Sequence, residues 1–162
     1  ETIEAWEIAL ENKEPTILTL TRQSLSTNKR NSYDENLVMK GAYILKNYSD
    51  YDATIFASGS EVEIALLASS KLQEINIKLR VISFPSMELF DKQNEKYKNK
   101  IIGNKPKFSV EAGIINGWEK YINNENFIGM KSFGSSGPYN NVYKYFGITA
   151  DDIFKKIKQK LT

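Results

Sequence analysis

The chain has 162 residues, of which 41% are apolar, 12% aromatic and 26% charged, which is enough apolar material for a sizeable core and argues against a disordered chain. It carries 22 basic and 20 acidic residues, a net charge of +2, with neither cysteine nor histidine. Those two absences exclude disulfides, thiolate sites, Ser-His-Asp triads and ordinary zinc sites, and leave carboxylates, Lys, Arg, Tyr and hydroxyls for any chemistry.

Ile3, Trp6, Ala9 and Leu10 recur at helical spacing and predict a helix over 2–11. Pro15 introduces a β-branched stretch, predicted as a strand over 16–20. A polar run follows, with the composition of a linker. One helix and one strand cannot bury a core alone, so residues 1–25 read as the tail of a preceding domain, 26–36 as a linker and 37–162 as a second domain. The chain starts at Glu1 without a Met and is read as a fragment, with a tail expected to be mobile away from its parent sheet.

Within the second domain, strands are predicted over 41–45, 53–57, 79–84, 108–111 and 127–131. Helices are predicted over 61–75, 87–93, 94–101, 116–121, 136–146 and 150–161, with Gly147 as a left-handed stop and Thr149 as a cap. Alternating strands and helices give an α/β fold of three layers, α/β/α, around a mixed, mostly parallel five-stranded sheet. The link between the first two strands of this domain is too short for a parallel crossover, so one edge strand is expected to be antiparallel. The last helix places Ile153, Ile157 and Leu161 on one face, and its Lys155, Lys156, Lys158 and Lys160 are read as a solvated face.

No apolar run approaches the about 18 residues of a membrane span, and the acidic, amphipathic first ten residues do not resemble a signal peptide. Arginine occurs only at Arg22, Arg30 and Arg80, which argues against nucleic acid as a partner.

Five features could carry chemistry. Ser58-Gly59-Ser60-Glu61 stands at a strand-to-helix turn, where phosphates bind in α/β folds. A capping box of Ser60 and Glu63 is favoured there, since Glu61 would compete with an anion. Glu111 ends a strand near the crevice where such folds hold ligands, but the sequence places no second carboxylate beside it, and a structural role is favoured. The turn from Phe133 to Pro138 reads as structural, with Ser136 as a cap. Trp118, Tyr121, Tyr139, Tyr143, Tyr145 and Phe146 read as packing rather than a stacking platform. Arg22, at the end of a predicted strand, suits a bidentate hold on phosphate or carboxylate as well as it suits a domain-interface salt bridge.

Taken in order, these segments resemble the C-terminal part of the transketolase family. Glu4-Ala5-Trp6 and Thr21-Arg22-Gln23 are similar to the end of the family's pyrimidine-binding domain. Lys40-Gly41-Ala42-Tyr43, Ala57-Ser58-Gly59-Ser60-Glu61-Val62, Phe84-Pro85-Ser86 and Val110-Glu111-Ala112-Gly113 are similar to its C-terminal domain. So are Gly117-Trp118-Glu119-Lys120-Tyr121, Phe133-Gly134-Ser135-Ser136 with Pro138, and Phe146-Gly147.

The resemblance implies a cytoplasmic, homodimeric enzyme that moves a two-carbon ketol unit between sugar phosphates. It implies thiamine diphosphate and a divalent metal, Mg or Ca, held by regions upstream of this chain. For this chain it implies no catalytic, cofactor-binding or metal-binding residue, no activity alone, and a structural role packed against the rest of its own chain. One site residue carries over: Arg22, as the ligand of the substrate phosphate. Ser24 and Ser26 depart from the family pattern just after it. Deoxyxylulose phosphate synthase and the beta subunit of 2-oxoacid dehydrogenases share the domain order. A freestanding α/β anion-binding module is the reading from a different class.

Overall fold

The computed structural model describes residues 1–26 and 35–162, so residues 27–34 of the expected linker lie outside the described residues. Helix α1 spans Thr2–Glu11. The sheet is built from β1 (Tyr43–Lys46), β2 (Ala53–Ala57), β3 (Leu79–Ser83), β4 (Lys107–Glu111) and β5 (Phe127–Gly129). Helices α2 (Glu61–Gln73), α3 (Met87–Asp91), α4 (Glu95–Ile102), α5 (Tyr139–Phe146) and α6 (Ala150–Leu161) complete the chain.

The strand order is β1-β3-β2-β4-β5. Strands β3, β2, β4 and β5 run parallel, and β1 pairs antiparallel with β3. The expected antiparallel edge strand is therefore present, set against β3 rather than against the strand that follows it in sequence. The chain goes from β2 to β3 on one side, then to β4 on the other. That reversal opens a crevice at the carboxyl ends of β2 and β4, where open α/β sheets usually receive ligands.

Successive strand residues face opposite layers, so the sheet divides two cores. Ile55, Leu79, Val81, Phe108, Val110 and Ile128 pack with Val62, Ala65, Leu72, Ile153 and Ile157 of α2 and α6. Phe56 and Ile82 turn the other way, onto Phe84, Phe90, Ile101, Trp118 and Tyr121. The rings there meet edge-on or stacked, Phe84 lying 4.8 Å from Phe90 and 5.4 Å from Trp118. Trp118 and Tyr121 are thus core residues, as their sequence context predicts. Tyr139 and Tyr145, by contrast, are exposed.

Several local expectations are corrected. Residues 16–20 are extended but join no strand among the described residues, and Ile17 is 91% exposed. A β-branched stretch becomes a strand only by pairing with another, and this one pairs with neither edge of the described sheet, β1 or β5. The helix expected over 116–121 is a three-residue 3-10 turn, Trp118–Lys120, entered through left-handed Gly117. Helix α5 starts at Tyr139, not at Ser136, because the Pro138 carbonyl accepts the Asn141 and Val142 amides and Ser136 caps nothing. Its stop at Gly147, φ +69°, is as predicted.

The lysines of α6 are only partly a solvated face. Lys156 is half-buried and donates to the Phe127 carbonyl at 3.0 Å, and Lys160 pairs with Glu125. No described helix is long and apolar enough to cross a membrane.

Helix α1 is tied down rather than loose. The Glu1 carboxylate accepts the Tyr43 hydroxyl at 2.6 Å and also the Ser83 hydroxyl. Glu4 accepts the Leu37 amide at 3.1 Å, and Asn36 donates to Glu7 at 2.7 Å. The tail therefore meets the domain at the carboxyl end of β3.

Candidate functional site

Three of the singled-out residues converge on the β2/β4 crevice. Ser58 follows β2, Glu111 ends β4, and Glu61 opens α2. The Ser58 hydroxyl donates to Glu111 at 2.7 Å. The indole of Trp118 is a further donor to Glu111. Glu61 is only 3% exposed, and its Oε1 accepts both the Ser60 hydroxyl at 2.7 Å and the Tyr143 hydroxyl at 2.6 Å. Tyr143 stands on α5 and accepts the Gln23 side-chain amide at 3.3 Å.

The second carboxylate missing beside Glu111 in the sequence reading is Glu61. Burial pushes the Glu111 carboxyl up to about 7, against the pull of the Ser58 hydroxyl. The Glu61 charge and a hydrogen bond between the two carboxyl groups push in the same direction as burial. Glu111 thus titrates near neutrality, beside Glu61. Burial likewise raises Tyr143, with the Glu61 carboxylate as the next cause. Such a pair can store or move a proton at the mouth of the sheet.

The predicted capping box does not form. Ser60 sits at the cap position but has helical backbone angles, φ −64° and ψ −27°, and makes no cap bond. Its hydroxyl goes to Glu61, while Glu63 accepts the Ser26 hydroxyl at 2.7 Å. The first helix amides are used locally, Glu61 N–H on the Ser58 carbonyl at 3.1 Å and Val62 N–H on Gly59 at 3.4 Å. The turn is therefore poorly suited to phosphate, since its donors are engaged and a carboxylate stands in front of them.

Arg22 lies outside this cluster, exposed, one residue from Gln23. The turn from Phe133 to Pro138 is exposed and contributes nothing to the crevice; Phe133 itself is 98% exposed. Gln23 and the Glu61 pairing escaped the sequence reading. Both depend on strand order and on contacts between residues far apart in the chain. Among the described residues no group of three or more carboxylates could hold a metal ion.

Residues 41–149 match the family model of the transketolase-like C-terminal domain. The chain belongs to the transketolase family. It is 39% identical to a transketolase of Cereibacter sphaeroides over 99% of its own length and 42% identical to one of Sinorhizobium medicae over 94%. It spans 25% and 23% of those two transketolases. Among solved structures it superposes, with a TM-score of 0.91 and 34% identity, on a Pichia stipitis transketolase in complex with xylulose-5-phosphate. That match covers 99% of this chain and 23% of the other.

Proposed function

We propose that this chain is the C-terminal part of a transketolase that transfers a two-carbon ketol unit between sugar phosphates. The observation that carries this reading is the near-complete cover of the chain by transketolases at 39% and 42% identity, together with its match to the transketolase-like C-terminal domain. In this reading residues 1–25 close a pyrimidine-binding domain, 26–36 link, and 37–162 form the C-terminal domain. The described sheet and both its cores fall within the last of these. The full-length enzyme acts as a homodimer in the cytoplasm.

Arg22 is the proposed ligand of the substrate phosphate. Its exposure leaves the planar guanidinium free to meet two phosphate oxygens side by side, a charge-assisted fork that a lysine does not reproduce. Holding the distal phosphate fixes how far the ketol end reaches, which is an orienting role rather than a chemical one.

The described residues of this chain do not fit thiamine diphosphate or its divalent metal. The Ser58–Glu61 turn is fronted by the Glu61 carboxylate, which would repel a diphosphate. We assign both groups to the rest of the full-length chain, where the cofactor supplies the carbanion chemistry. The fragment alone is accordingly inactive, with a structural role.

The related thiamine diphosphate enzymes are disfavoured because the relatives at 39% and 42% identity are both transketolases. The freestanding anion-binding module is disfavoured by the engaged amides and the Glu61 carboxylate at the Ser58–Glu61 turn.

The test uses the full-length enzyme. Arg22→Ala is expected to raise KM for xylulose-5-phosphate about tenfold or more, as loss of a charged hydrogen-bond pair should. The dephosphorylated ketose should be little affected. Equal effects on both donors would overturn the assignment of Arg22.

A further inference from the structure

The residue after Arg22 is held by the switch-point cluster. Gln23 donates to the Tyr143 hydroxyl at 3.3 Å, and Ser26 donates to Glu63 at 2.7 Å. These two anchors bracket the segment and attach it to α5 and α2 of the C-terminal domain. Adjacent Cα atoms are about 3.8 Å apart, so fixing Gln23 strongly limits where the Arg22 backbone can stand.

The Tyr143 hydroxyl stands among three partners, Glu61 at 2.6 Å, Ser60 at 3.1 Å and Gln23 at 3.3 Å. Glu61 accepts the tyrosine hydroxyl at 2.6 Å, so the single Tyr143 proton is spent on it. The Tyr143 oxygen is then left only to accept, and what it accepts is the Gln23 amide. Glu61 is in turn fixed by Ser60, and its neighbour Glu111 by Ser58 and Trp118. The chain runs from Trp118, 2% exposed in the aromatic core, out to the exposed segment at Arg22. Two carboxyl groups taken out of water are a poor way to stabilise a fold. A rigid, directional support for a surface segment is a role that they serve well.

We infer that Tyr143, oriented by Glu61, is a positioning residue that holds Gln23 and thereby sets the Arg22 guanidinium for phosphorylated substrates. This rests on the reading of Arg22 as the phosphate ligand. It gives the C-terminal domain a part in substrate selection across the domain boundary.

The experiment compares, in the full-length enzyme, kcat/KM for xylulose-5-phosphate with kcat/KM for the dephosphorylated ketose. Tyr143→Phe keeps the ring and deletes the hydroxyl. It should lower the ratio of the two about three- to tenfold, the range of one hydrogen bond, through KM. Gln23→Met, a surface change that keeps side-chain length, should lower it by a similar factor. The double variant should lose no more than either single one, because both cut the same link.

Equal losses for both donors, as a general packing defect produces, would overturn the inference. So would an unchanged ratio, or additive effects in the double variant. Arg22→Ala separates the two levels. If it fails to discriminate between the donors, the phosphate reading falls and the inference with it. If it discriminates and neither Tyr143→Phe nor Gln23→Met does, only the positioning role falls.

Discussion

Glu111 carries a consequence for pH. Its carboxyl is raised from an ordinary value of 4.5 to about 7, with burial as the first cause. Between those values the folded chain binds more protons than the unfolded one. The Glu111 contribution is therefore fully present below the unfolded value and is lost as pH rises through the folded one, by on the order of 3 kcal/mol at most. The chain has no histidine, so no imidazole titrates in that window.

Asp50, Asp91, Glu125 and Asp151 work in the opposite sense. Each is lowered first by a lysine partner, so what they contribute is lost only as pH falls below the ordinary carboxylate range. Glu111→Gln mimics the protonated acid and should flatten the decline. Urea unfolding of wild type and variant at pH 5 and pH 8 reads this directly, and parallel declines would refute it. Arg22 and Glu111 were both visible in the sequence as isolated candidates. The partner of Glu111 was not, because Glu61 lies fifty residues earlier and looks like an ordinary first-turn acid of a helix.

At the level of elements, the predicted caps Thr149 and Ser60 had different fates. Thr149 has extended backbone angles, φ −124° and ψ 162°, and its hydroxyl accepts the Asp152 amide at 3.2 Å. It also donates to the Asp152 carboxylate at 2.5 Å. That motif closes within four residues, so the sequence displays it whole. Ser60 has the same chemistry, but Glu61 and Tyr143 capture its hydroxyl. Tyr143 lies on another helix, and local pattern contains no trace of it.

Thr149→Ala should cost about 1 kcal/mol in chemical unfolding, whereas Ser60→Ala should leave α2 without a cap defect. Gly41 shows a second kind of legibility. It adopts φ +77°, and a Cβ there would come within 2.1 Å of the Phe90 amide nitrogen. Gly41→Ala should therefore destabilise the chain by several kcal/mol, well beyond the about 1 kcal/mol of a conformational penalty alone. Equal midpoints for Gly41→Ala and wild type would contradict the close approach. The sequence marked Gly41 as the start of a strand, but the packing against α3 that requires a glycine is tertiary.

Over the whole molecule, alternation alone gave the three layers and the parallel majority. Strand order was beyond it, because a crossover helix can return the chain to either side of its parent strand. The two cores follow from that order. Trp118 spans both concerns, stacking on Phe56 at 6.4 Å while its indole supports Glu111. Trp118→Ala should cost about 3–5 kcal/mol from the cavity alone. Trp118→Phe keeps a ring in that space and should recover most of the stability, while the loss of the indole donor should push the Glu111 carboxyl further up. Chemical unfolding separates the two variants, and infrared detection of the protonated carboxyl compares either with wild type.

The ends of the sheet have a further consequence. Its outermost strands are β1, four residues long and irregular in register between Ile44 and Lys46, and β5, of three residues. A strand this short exposes few unpaired amides and carbonyls, and a bulge twists them out of line. Neither margin of the sheet is a template on which a second copy could add strands. The C-terminal domain is thereby guarded against edge-to-edge aggregation, even when chains of it are crowded together during synthesis.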